Sequence, residues 1–321
     1  MNIRHDWTED EILGIYNTPL LELIYKAATL HRKFHDPCEV QVSSLLSIKT
    51  GACPEDCAYC PQSARYRTGI EMHPLLPLEQ VTDIAKQAKS SGATRFCMGA
   101  AWREAKEGDE FERVLQMVRD VNAIGMEVCC TLGMLTESQA KRLAEAGLYA
   151  YNHNIDTSRE YYSKIITTRA YEQRLNTLKN VRKAGITVCS GGIIGMGESV
   201  KDRAGMLLTL SSLNPHPESV PINALIPVKG TPLAAQKPVS IWEMVRMVAV
   251  TRIVMPKSIV RLSAGRVNMS KEGQALCFLA GANSIFAGEK LLTQPNPEAN
   301  EDFEMFKALG LKAREGFKEV C

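Results

Sequence analysis

No stretch of this sequence is low in complexity, none stays apolar long enough to span a bilayer, and neither sign of charge dominates. Each absence removes a class of function. The 38 Lys and Arg against 36 Asp and Glu leave a net charge of +2, too little for the basic field that follows a phosphate backbone. Nucleic acid is therefore not expected as a partner, and small molecules are. Without a bilayer-length apolar run, no membrane is expected either. Met1 to Trp7 carry charges where a secretory signal would need an apolar run, so a cytoplasmic location is expected. The ten cysteines then sit where thiols stay reduced, which favours metal or redox chemistry over disulfides.

What is present is an alternation of short β-branched runs with amphipathic helical stretches. Strand-like runs fall at 42–48, 95–101, 127–132, 149–155, 187–194, 219–225, 259–263 and 284–287. Helical patterns cover 78–91, 111–124, 137–146, 171–184 and 241–254, several ending at Gly92, Gly125, Gly147 or Gly185. Repeated strand–helix units make a parallel sheet, and eight allow closure, so the expected fold is an α/β (β/α)8 barrel of the TIM type. No linker divides the 321 residues. The expected organisation is a helical extension over 1–40, the barrel over 41–297, and a helical tail over 298–321 packed on it.

Cys53, Cys57 and Cys60 stand in one short run, Cys53-Pro54-Glu55-Asp56-Cys57-Ala58-Tyr59-Cys60. Three thiolates folded onto one point can hold three irons of a cubane cluster and leave the fourth without a protein ligand, which makes that iron a reaction site. A structural zinc site is normally closed by four ligands, and no nearby Cys or His supplies the fourth. The triad follows the first strand, at the barrel end where such folds carry their chemistry.

Cys97, Cys129, Cys130 and Cys189 fall on other strand runs, and Arg261 is the odd residue of an apolar one. Neighbours on a strand face opposite ways, so one of Cys129 and Cys130 points into the barrel. A second cluster facing Arg261 would account for these residues; ordinary buried cysteines and an arginine paired with a carboxylate would account for them equally. Asn152, Asn154 and Asp156 share one parity and could line one wall. The glycine-rich run 191–198 lacks phosphate-loop spacing and reads as backbone lying close to a flat ligand. Asn223 is one more polar residue in an apolar strand.

The triad with Tyr59 before its last cysteine resembles the motif of the radical S-adenosylmethionine enzymes. Within them, Cys53-Pro54-Glu55-Asp56-Cys57-Ala58-Tyr59-Cys60-Pro61-Gln62-Ser63, Tyr151-Asn152-His153-Asn154-Ile155-Asp156-Thr157 and Val260-Arg261-Leu262-Ser263-Ala264-Gly265-Arg266 together resemble the biotin synthase family, from about residue 40 to 297. The resemblance implies a [4Fe–4S] cluster on Cys53, Cys57 and Cys60 whose open iron chelates S-adenosyl-L-methionine. It also implies a [2Fe–2S] cluster, the sulfur donor, on Cys97, Cys129, Cys189 and Arg261, with Cys129 rather than Cys130 as ligand. It places Tyr59, Asn154, Asp156, Gly191, Ile193, Gly195 and Glu198 at the cofactor, with Arg174 near its carboxylate. Asn154 and Asn223 would contact the ureido ring of dethiobiotin, and Thr293 its carboxylate tail. The implied reaction is sulfur insertion into dethiobiotin through two hydrogen abstractions by 5′-deoxyadenosyl radicals. Saturated C–H bonds are beyond any side-chain base, so radical chemistry is what such a substrate requires. Flavodoxin or ferredoxin as electron donor, iron–sulfur assembly proteins and a homodimer are the implied partners.

Other readings remain open at this level. A lipoyl synthase would need a second cysteine triad near a terminus, where only Cys38 and Cys321 lie. A hydrogenase maturase has no need of Cys97, Cys129, Cys189 and Arg261 as a set. A non-catalytic iron–sulfur carrier needs neither an open iron nor a substrate cavity.

Overall fold

In a computed structural model describing residues 3–288, 290–291, 293–295 and 299–317, parallel strands form a closed barrel. They are β1 (Glu39–Lys49), β2 (Arg95–Ala100), β3 (Glu127–Thr131), β4 (Ala150–Asn152), β5 (Thr187–Cys189), β6 (Gly192–Ile194), β7 (Ser219–Ala224), β8 (Ile259–Leu262) and β9 (Ser284–Phe286). β9 returns to β1 in the register Val42↔Ile285, which closes the sheet. The expected fifth run is broken in two. β5 pairs with β7 at Cys189↔Ser219, and β6 resumes at Gly192↔Ile222, so together they form one of eight staves. At the break, Gly191 O accepts from the backbone of Ile155 at 3.0 Å and of Asp156 at 3.3 Å, and Ile193 N donates to Asp156 O at 2.8 Å. The end of β4 thus takes the hydrogen bonds that a continuous strand would use.

The helices are α1 (Glu9–Tyr16), α2 (Leu20–Phe34), α3 (Leu78–Ser90), α4 (Asp109–Ala123), α5 (Glu137–Glu145), α6 (Arg159–Tyr162), α7 (Tyr171–Lys183), α8 (Val200–Ser211), α9 (Ile241–Val254), α10 (Lys271–Leu279) and α11 (Ala299–Leu309). α5 and α8 open with capping boxes, Thr136 with Gln139 and Ser199 with Asp202. The strands are covered on both faces, which is why they read as unbroken apolar runs: all six residues of β2 are buried. Outward-facing residues such as Phe96, Val128 and Cys130 join the layer between strands and helices. Cys97, Cys129, Ala150 and Phe286 form a separate cluster within the barrel.

The N-terminal helices lie outside the barrel, α1 against α8 and α2 against α9, with the Trp7 indole donating to Val254 O at 3.2 Å. The C-terminal segment adds a short strand, Lys312–Ala313, beside Glu39 and Val40. Cys321 lies outside the described residues.

Candidate iron–sulfur site

The triad loop leaves β1 through Gly51 and Ala52, both at positive φ, 79° and 57°. For alanine that backbone is unfavourable and persists only where surrounding bonds impose it. Here Gly51 N donates to Gln62 Oε1 at 3.2 Å, Cys53 N to Gln62 O at 3.0 Å, and Cys60 N to Cys57 O at 2.9 Å. Burial pushes the Cys57 thiol up to about 12 and the Cys60 thiol up to about 11, and raises Cys53 as well. As bare thiols they would be inert at neutral pH; bound metal would reverse that by stabilising the thiolates. Among the described residues, no group of three or more His, Cys, Asp or Glu side chains converges on a single metal ion. A cubane would need one thiolate at each of three corners, the donor set that Cys53, Cys57 and Cys60 could supply.

The back of this loop is pinned to the turn before α7. Asp56 Oδ1 accepts from Thr167 N at 2.9 Å, from Thr168 N at 3.2 Å and from Thr168 Oγ1 at 2.9 Å. The Thr168 hydroxyl also donates to Glu55. Glu55 is buried, with Arg103 Nε at 3.5 Å and Arg169 Nε at 4.0 Å. Sequence reasoning passed over Glu55, Asp56, Thr167, Thr168, Arg103 and Arg169. The available signal was the pair of carboxylates between the first two triad cysteines, where solvent exposure would have been the default.

The front of the loop meets the end of β4. Tyr59 OH donates to Asp156 Oδ2 at 2.9 Å, and the same carboxylate pairs with Arg174. Asp156 adopts a left-handed backbone, φ 68°, which Asp tolerates better than most residues. Arg174 also donates to Tyr162 OH at 2.8 Å and Asn154 O at 2.6 Å. Burial is the largest influence and would lower its proton affinity, but Asp156 together with Tyr59, Tyr162 and Cys57 more than offsets it, and the guanidinium stays charged. The structure therefore commits Arg174 to protein partners beside the expected cofactor position.

A cavity of about 220 Å³ opens beneath Tyr59 and Cys60, with Asn154, Asp156, Asn223 and Thr293 among its lining residues. Asn152 lines it too, and its Oδ1 is buried with no partner among the described residues, the mark of an acceptor open to a ligand. Asn223 bridges backbone groups, donating to Gly192 O at 3.0 Å and accepting from Ala264 N at 3.1 Å. Asn154 Oδ1 accepts from Gly191 N at 3.1 Å. Of the run 191–198, Ile193 reaches the cavity wall. Its glycines also have a reason within the protein: a Cβ on Gly191 would fall on the Pro221 carbonyl, and one on Gly192 on Met206 and the Asp156 backbone. Glu198 closes the loop on itself, accepting from Gly195 N at 2.9 Å and Met196 N at 2.7 Å and pairing with Arg203 at 2.7 Å.

Leu45 and Phe286 line the same cavity and pack against Cys97 and Cys129, so the cavity lies between the triad and the inner cysteines. Cys97 and Cys129 are register partners. A hydrogen bond between them lowers the proton affinity of Cys97 and raises that of Cys129. Cys189 is raised by burial, against the pull of Arg261. Arg261 donates from Nε to Ser284 Oγ at 2.9 Å and from Nη2 to Gln41 Oε1 at 3.0 Å and Ser43 Oγ at 3.3 Å. Among the described residues, no carboxylate pairs with it directly. Three cysteines and an uncompensated guanidinium facing one interior space suit an anionic group such as a sulfide-bridged cluster.

Comparison with known proteins comes from three directions. Residues 47–210 match the radical SAM superfamily, and residues 221–312 match the Biotin and Thiamin Synthesis associated domain. The biotin synthase of Flavobacterium johnsoniae is 67% identical over 320 residues, covering 100% of this chain and 88% of that protein. The biotin synthase of Christiangramia forsetii is 67% identical over 319 residues, covering 99% and 88%. Methylornithine synthase shares the fold, with a TM-score of 0.81 at 18% identity over 96% of this chain and 94% of the other.

Proposed function

The chain belongs to the biotin synthase family of radical S-adenosylmethionine enzymes, and on that footing we propose how its residues insert sulfur into dethiobiotin. One observation carries the proposal: a single cavity has Tyr59 and Cys60 at one end and the Cys97–Cys129 layer at the other. Cys53, Cys57 and Cys60 hold a [4Fe–4S] cluster, and Cys97, Cys129, Cys189 and Arg261 hold a [2Fe–2S] cluster. When bound, the outer cluster with S-adenosylmethionine supplies a radical able to take hydrogen from unactivated carbon, and the inner cluster supplies the sulfur.

The protein's part is placement and exclusion of water. Tyr59, Asn154, Asp156, Ile193 and the backbone near Gly191, Gly195 and Glu198 shape the cofactor's side. Arg174 keeps the Asp156 carboxylate in place there. Asn154 and Asn223 flank the ureido ring, with Thr293 by the carboxylate tail. Leu45, Phe286 and Leu225 close the apolar walls and would keep solvent away from a substrate held between the two clusters. Arg261 would hold iron less tightly than a thiolate and would place positive charge beside the inner cluster.

We assign residues 1–40, 41–297 and 298–321 as extension, barrel and tail. Flavodoxin or ferredoxin delivers electrons, iron–sulfur assembly proteins rebuild the inner cluster, and the enzyme works as a cytoplasmic homodimer. Among the described residues, no helix is long and apolar enough to cross a membrane. The test is anaerobic reconstitution with iron and sulfide counting, then incubation with S-adenosylmethionine, reductant and dethiobiotin. Biotin and 5′-deoxyadenosine are expected together; a colourless protein that takes up only zinc and makes neither would overturn the reading.

A further inference from the structure

Arg266 and Asp302 form a buried ion pair that none of the chemistry above uses. Both Asp302 oxygens accept from Arg266 Nη2 at 2.7 Å, with side-chain exposures of 0% and 6%. Arg266 Nε and Nη1 have no protein partner, so Asp302 is the one carboxylate compensating this guanidinium among the described residues.

The pair joins two pieces of the cavity wall. Arg266 closely follows Ser263 and Ala264, which line the cavity, and Asn223 holds Ala264 N at 3.1 Å. Asp302 sits in the first turn of α11. That helix follows the antiparallel pairing of Lys290–Leu291 with Gln294–Pro295, where Thr293 faces the cavity. The rest of α11 is held by apolar contacts, such as Phe306 edge-on to Phe278 with centroids 6.1 Å apart. Such contacts are non-directional and tolerate sliding, whereas a charged, two-oxygen hydrogen bond fixes position.

We propose that Arg266 and Asp302 are positioning residues that set where Thr293 stands over the cavity, and so how tightly the substrate's carboxylate tail is held. The inference rests on reading Thr293 as a tail contact. Neither residue touches the reacting atoms. Loss of the pair therefore weakens substrate binding and leaves both clusters and the chemical step in place.

The experiment compares reconstituted wild-type enzyme with Asp302→Asn, Asp302→Glu and a control core variant, Leu210→Ala, with iron–sulfur assembly proteins present to rebuild the inner cluster between turnovers. Asp302→Asn is expected to raise the KM for dethiobiotin about tenfold with kcat changed less than twofold. The cluster absorption and the cleavage of S-adenosylmethionine without dethiobiotin should not change. Asp302→Glu, which keeps the charge, should fall between wild type and Asp302→Asn, and it carries the test if Asp302→Asn does not fold. Leu210→Ala should lower thermal stability and leave KM alone. An unchanged KM in the Asp302 variants, or only a loss of thermal stability like that of Leu210→Ala, overturns the inference. Failure of the wild-type enzyme to make biotin would instead overturn the functional reading on which it rests.

Discussion

Arg261 Nη1 stands 3.8 Å from the Cys189 sulfur, although their strands, β8 and β5, are separated by β7. The guanidinium reaches its first carboxylate only indirectly. Gln41 accepts from Arg261 and donates to Glu127 at 3.2 Å, and Glu127 pairs with Arg95 at 2.7 Å. Replacing Arg261 by Ala should retain the absorption of the outer cluster and cut biotin yield more than tenfold. Lys at 261 cannot reproduce the fork that meets Ser284, Ser43 and Gln41 at once and should also lose activity. Unchanged biotin yield in either variant removes Arg261 from the mechanism.

Cys129 faces the barrel interior, whereas Cys130 packs in the outer core. Cys129→Ala should abolish the inner cluster's visible absorption and spare the outer one. Cys130→Ala should leave both spectra intact and cost about 1 kcal/mol of stability, as ordinary core truncations do. Equal spectral losses from the two would reverse the orientation assigned to β3.

Asp56 holds the triad loop from behind by accepting from two backbone N–H groups. In Asp56→Ala those donors, which are partly open to water, exchange the carboxylate for solvent at about 0.5–1.5 kcal/mol. The outer cluster should then bleach several-fold faster under a chelator while the inner one keeps its rate. If both clusters bleach at wild-type rates, the loop does not depend on this clamp.

Four histidines make the fold sensitive to acid. Burial holds His31 down at about 3 and His35 at about 2, with Arg252 adding to both, and burial also lowers His153 and His216. An unfolded histidine takes up a proton near pH 6.5, which these folded ones resist. Stability is therefore full above that pH and lost as pH falls toward the folded values, on the order of 1 kcal/mol per pH unit for each of His31 and His35. Thermal unfolding midpoints measured from pH 7.5 to 5 should fall steadily, and His31→Gln should flatten the slope. A slope identical to wild type would show that His31 does not contribute.

Much of this architecture is written locally. The triad's spacing, the eight apolar runs and glycines such as Gly92 and Gly185, at φ 86° and 76° after their helices, each depend on residues a few positions apart. Steric and hydrogen-bonding rules act over that range, so the barrel and the triad could be read from composition and period. The parity of Cys129 and Cys130 was readable as a choice between two faces, and the different side chains each packs among settle which face each takes.

Long-range pairing was not readable in this way. Asp56 meets Thr167 and Thr168 across more than a hundred residues, Arg266 finds Asp302 on a later helix, and Arg261, among the described residues, meets neutral oxygens and reaches an acid only through Gln41. The split of one stave into β5 and β6 and the unpaired Asn152 oxygen in the cavity belong to the same class. Chain order sets which groups exist and how each segment folds. The partner a buried polar group obtains, or goes without, depends on which distant segments closure of the barrel brings beside it, because desolvation makes an unmatched charge costly only once those neighbours are in place.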